Sequence, residues 1–148
     1  MFNDDEDDES INPQLLPIYR KGEEIMLLTL KITALIPDTD EIQSHLKAMM
    51  LQDAALLTVK VSGAEAADLY DIRMENATIV RKAARELLTH CTSLEMFNFK
   101  ETHYLQLIRE AVEEYRLLFI DWVNSFDPWN YILDDWGLFN PPGIKPEQ

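Results

Sequence analysis

Between Tyr19 and Phe126 the chain contains a single proline, Pro37. Little in that stretch would stop a helix once begun, and no run of alternating β-branched residues between turn signals offers a strand instead. No segment repeats at a fixed period. The sequence therefore predicts an all-α fold made of long helices.

Hydrophobic periodicity divides the stretch into four. The clearest helix is the last, where Leu105, Ile108, Val112, Tyr115, Phe119, Trp122 and Phe126 recur at steps of three and four, with Leu107, Ala111 and Leu118 widening the stripe. A face this wide needs more than one helix to cover it. The first helix, residues 15–36, aligns Ile18, Ile25, Leu28, Ile32 and Leu35 and closes at Pro37. Asp40 can cap the second, which carries Ile42, Leu46, Met49, Met50, Leu56, Leu57 and Val61 and ends near Gly63. The third starts with Asp68 as its N-cap and uses Leu69, Ile72, Ile79, Ala83 and Leu87; the helix-favouring run Ala64–Ala67 leaves open a continuous passage between the second and third. Residues 91–100 form the loop to the fourth. Four such helices with short connections predict an antiparallel up-down-up-down four-helix bundle over residues 15–126.

The two ends differ from this middle. Residues 1–14 form an acidic tail expected to be disordered: Asp4, Asp5, Glu6, Asp7, Asp8 and Glu9 repel one another, with only Phe2 to bury. The tail serves either as a solubilising extension or as a polyanion for a basic partner. Residues 127–148 form an aromatic, proline-rich C-terminal extension. Pro128, Pro141, Pro142, Gly143 and Pro146 forbid a long helix, while Trp129, Tyr131, Ile132, Trp136, Leu138 and Phe139 are too apolar to lie in water uncovered. They pack on the bundle or on a partner, and Trp129, Tyr131, Trp136 and Phe139 are the candidate interface residues.

The net charge of −14 opposes phosphates and anionic lipids, so neither a nucleic-acid nor a membrane partner is expected. Arg73, Arg81, Lys82 and Arg85 gather positive charge on the third helix, where Glu75, Glu86 and carboxylates of the fourth can pair with it. One cysteine, Cys91, allows no intrachain disulfide and no metal-ligand spacing, which fits a reducing, cytoplasmic setting. The acidic N-terminus lacks the basic start of a secretory signal. No cofactor is expected.

Catalytic signals are sparse. A ferritin-like di-iron site requires Glu-x-x-His pairs, and the nearest spacing, Glu41 with His45, reads as a solvated pair on a helix surface. His90 and His103 read as polar residues at helix ends. Neither Ser62, Ser93, Ser125 nor Cys91 has a recognisable base or oxyanion hole in its neighbourhood. Asn76 falls between Ile72 and Ile79 on the third helix's seam, as Thr29 does on the first; such a polar residue fixes register when paired, so Asn76 is a specificity candidate within the core.

Two resemblances bear on function. Glu65-x-x-Asp68 and Glu110-x-x-Glu113 match the spacings with which all-α nucleotide pyrophosphatases of the MazG type hold magnesium, although in a different chain order. This is the alternative, enzymatic reading, a magnesium-dependent pyrophosphatase. The closing of the first helix at Pro37, the junction Ser62-Gly63-Ala64-Glu65-Ala66, the stretch Ala83-Ala84-Arg85-Glu86-Leu87 and Met96-Phe97-Asn98-Phe99 together resemble the four-helix-bundle proteins encoded in ribosomal-RNA intervening sequences, which include the accessory variability protein of retroelements. That resemblance covers residues 18–126 and implies a bundle that forms a ring-like homo-oligomer. The basic surface with which some members engage nucleic acid has no equivalent here. The segment from Asp127 to Gly143 is similar instead to an uncharacterised helical protein group of bacteria, with Bacteroidetes as the candidate source, and this implies no activity. The leading expectation is a non-enzymatic interaction or oligomerisation module acting on a second copy or a protein partner.

Overall fold

The computed structural model describes residues 12–147 and is all-helical, with no strand among the described residues. The first eleven residues, which hold the acidic block, lie outside the described residues.

Helix α1 (Pro17–Thr33) begins with proline at a position whose N–H has no helical partner to lose. It buries Ile18, Gly22, Ile25, Thr29 and Ile32, one residue per turn. A Cβ on Gly22 would lie 2.9 Å from Thr58 Cγ2 and 3.1 Å from the Leu57 carbonyl oxygen, so glycine is what lets α1 approach its neighbour there. Thr29 is fully buried, as its place on the stripe implies, and its hydroxyl donates to the Ile25 carbonyl at 2.7 Å. Helix α2 (Glu41–Ala67) starts at the expected cap, where Asp40 Oδ1 accepts from the Gln43 N–H at 3.0 Å. Helices α3 (Tyr70–Met96) and α4 (Leu105–Asn124) follow, the latter entered through a 3-10 turn at Thr102–Tyr104.

Several boundaries depart from the sequence reading. Helix α2 runs through Gly63 to Ala67, because the alanine-rich stretch that follows favours helix more than one glycine disfavours it. Asp68 closes α2 in the left-handed region, at φ 52° and ψ 14°, and is not the N-cap of α3. The region expected to be a loop from residue 91 is helical as far as Met96, because Cys91 and Leu94 continue the buried stripe of Leu87. Ile42, Leu35 and Ile72 are exposed.

The most extensive interface joins α2 to α3, α1 packs on both α2 and α4, and α3 packs on α4 over a smaller one. Side-chain pairings fix how the helices line up. Asp53 meets His90, Gly63 faces Asn76, and Lys21 reaches Glu114. The Tyr115 hydroxyl of α4 donates to the Leu57 carbonyl of α2 at 2.7 Å, and burial pushes that phenol well above its usual pKa. The resulting core is one cluster, centred on Ile25, Met50, Leu57, Leu87, Leu105 and Ile108.

Candidate functional site

Among the described residues after Phe126 there is no regular element, yet dense hydrogen bonding holds the segment. Asp134 organises the segment. One carboxylate oxygen accepts from the Trp136 N–H and the other from Leu138 and Phe139 N–H, each at 2.9 Å. The Asn140 side chain closes the loop from the other side, accepting from the Asp134 N–H and donating to its carbonyl. These backbone donors hold the Asp134 carboxyl below its ordinary pKa, the Phe139 N–H contributing most. Gly137 occupies φ 74°, a conformation in which a side chain is strained.

What this loop displays is apolar. Trp136 is 95% exposed, and Trp129, Ile132 and Leu138 are exposed beside it in the sequence. Of the four candidate interface residues, Trp129 and Trp136 stand in solvent while Tyr131 and Phe139 are half-buried. Trp129 and Tyr131 meet edge to face, with ring centroids 6.5 Å apart.

The segment is anchored at the α2–α3 turn. The Asn130 carbonyl accepts from the Tyr70 N–H at 2.9 Å, and the Asn130 side-chain amide donates to the Asp68 carbonyl. Directly beneath, Arg73 lies 3.0 Å from Asp68 and 3.7 Å from Glu65, with its guanidinium 5.3 Å from the centre of the Phe126 ring. Trp122 donates its indole N–H to Glu65 at 2.8 Å and packs edge to face on Phe126. Glu65 and Asp68 are therefore brought together, but around the guanidinium of Arg73. Glu110 and Glu113 are exposed on α4, Glu113 being paired with Arg116 at 2.6 Å. The four carboxylates of the pyrophosphatase reading are not assembled, and no group of three potential metal ligands occurs among the described residues.

Asn76 is half-buried rather than central. Its amide donates to the Ile72 carbonyl of its own helix, and its Oδ1 would meet a Cβ placed on Gly63 at 3.2 Å. It lies at the α2–α3 interface, opposite the residue with the least bulk.

A buried pair escaped the sequence reading. His90 lies within α3 and not at a helix end, and its Nδ1 is 3.0 Å from Asp53 Oδ2, both side chains almost wholly buried. Burial pushes the Asp53 pKa up to about 6; His90 opposes that rise and Glu86 adds to it. The pair lines a cleft of about 310 Å³ between α2 and α3, shared with Gln52, Lys82 and Glu86. A sequence signal existed: Asp53 sits between Met50 and Leu57 on an apolar stripe, where an unpartnered carboxylate would be costly.

No family model, curated protein or solved structure matches the chain. Among the described residues, no helix is long and apolar enough to cross a membrane.

Proposed function

We propose that this chain is a non-enzymatic interaction module of the cytoplasm, an antiparallel up-down-up-down four-helix bundle that self-associates through its C-terminal aromatic segment. The bundle reading is supported by the neighbour order, in which α1 packs on α2 and α4 while α2 packs on α3. It is also supported by the pairings Asp53–His90 and Gly63–Asn76, which run in opposite directions along α2 and α3.

The observation that carries the interaction reading is Trp136, 95% exposed on a loop whose backbone is bonded to Asp134. An indole in water loses the transfer free energy of burial, and a pre-ordered loop lowers the entropy lost when a partner covers it. Tryptophan anchors of this kind dominate binding interfaces.

Light scattering tests the reading on three proteins: the full chain, the full chain with Trp136→Ala, and a chain ending at Asp127. The full chain is expected to be larger than a monomer, with both variants shifted towards monomer. Monomeric mass in all three would remove self-association, and unchanged multimers in both variants would remove the aromatic segment as its cause.

A further inference from the structure

A groove of about 300 Å³ opens between α3 and α4. That volume is at the small end of ligand pockets and suits one bulky side chain. Leu88 of α3 with Phe119 and Ile120 of α4 makes its lining apolar, and Ile120 is 43% exposed. The rim is basic. Arg81 and Arg85, one turn apart on α3, and Arg116 on α4 all line the groove, against a single carboxylate, Glu113, among the described residues there.

The segment after Phe126 has the complementary character. Trp136 is 95% exposed on a loop whose backbone is bonded to Asp134, so it does not fill the groove of its own molecule. Asp135 directly precedes it and is exposed, as is Asp127. Residues 127–140 hold these two aspartates and Asp134 but no lysine or arginine. We propose that Trp136 of one copy enters the α3–α4 groove of a second copy, its indole against Leu88, Phe119 and Ile120, with Asp135 beside Arg81 and Arg85. The inference rests on the self-association reading and names the surface that reading lacks. Insertion removes two apolar surfaces from water at once, the indole and the lining. Charge favours the groove over a second aromatic segment as the receiving surface. Pairing two terminal segments would set aspartates against aspartates with no basic residue in either stretch, whereas the rim of the groove offers the opposite sign. Because the indole and the groove are different surfaces, the contact is heterologous, and a copy lacking one still complements a copy lacking the other.

Sedimentation equilibrium on full-length chains tests the proposal. Ile120→Glu sets a carboxylate in the groove at an exposed position and should weaken self-association by more than about tenfold, as should Trp136→Ala. An equimolar mixture of these two variants, at a concentration where each alone is monomeric, should form a heterodimer and nothing larger, since one intact indole meets one intact groove. Arg81→Glu with Arg85→Glu, also at exposed positions, should weaken association too, and adding Asp135→Arg to that chain should recover it. An unchanged circular dichroism spectrum in each variant confirms that the fold persists. If the unaltered chain is monomeric throughout, both the self-association reading and this proposal are removed. Multimers that Trp136→Ala dissolves while both groove variants keep them overturn this proposal alone, and so does a mixture in which no heterodimer forms.

Discussion

The helical body and the segment after Phe126 are both rich in apolar side chains, and they hold them in opposite ways. In the body, Ile25, Met50, Leu57, Leu87 and Leu105 are fully buried, and their mutual contact positions the helices. In the terminal segment Trp129, Ile132, Trp136 and Leu138 remain exposed, and the backbone is positioned by a carboxylate and an amide. Order in the first region comes from removing apolar surface from water. In the second it comes from hydrogen bonds made in spite of apolar surface left in water.

The comparison breaks first, and most strongly, at the core. Leu57→Ala should destabilise the chain by about 2–5 kcal/mol, measured by urea unfolding, because its cavity lies among residues that cannot collapse into it. A loss no larger than that of a surface substitution would mean that the body is not held by packing.

Asp53 comes next, a carboxylate whose titration is perturbed by its burial. Its folded pKa of about 6 lies above the ordinary 3.8, so the folded state binds the proton more tightly. The corresponding stability is fully present below pH ~4 and is lost as pH rises through about 6. Unfolding midpoints followed from pH 4 to pH 7 should show that decline, and Asp53→Asn should flatten it. An unchanged slope in the variant would assign the decline to other groups.

At Asp134 the effect should be local. Asp134→Ala is expected to speed hydrogen exchange at the Trp136, Leu138 and Phe139 amides by roughly tenfold while leaving the amides of α2 and α3 unaltered. Because its folded pKa is lowered, the same loosening should appear in the unaltered chain as pH falls through the folded pKa and the carboxylate protonates. The smallest effect belongs to Trp136→Ala, whose urea midpoint should imply a change within about 0.5 kcal/mol, as for surface positions generally. A larger loss would mean that the indole stabilises the fold and is not simply displayed.

How legible these regions were in the sequence follows from the same contrast. Burial by packing leaves a periodic trace, so the stripe of α4 was readable: Leu105, Ile108, Val112, Tyr115 and Trp122 are buried, as is Phe126 just beyond the helix. The cap at Asp40 was readable because its chemistry is local. Boundaries set by competing local preferences were harder, as at Gly63, where the following alanines prevailed, and at Asp68, which takes the left-handed conformation itself. The Asp53–His90 pair depends on two residues 37 positions apart and leaves no short-range pattern beyond a charge on an apolar stripe. Nor did spacing reveal that Glu65 and Asp68 flank an arginine, since the guanidinium arrives from the next helix.

Only Asp68 and Leu69 separate two helices of 27 residues each, and this short link bears on how the chain finds its shape. Closing so small a loop costs little entropy, and the largest interface in the molecule can grow outward from it by contacts between residues progressively further apart. The α2–α3 hairpin is therefore expected to form first, with the terminal helices α1 and α4 docking onto it.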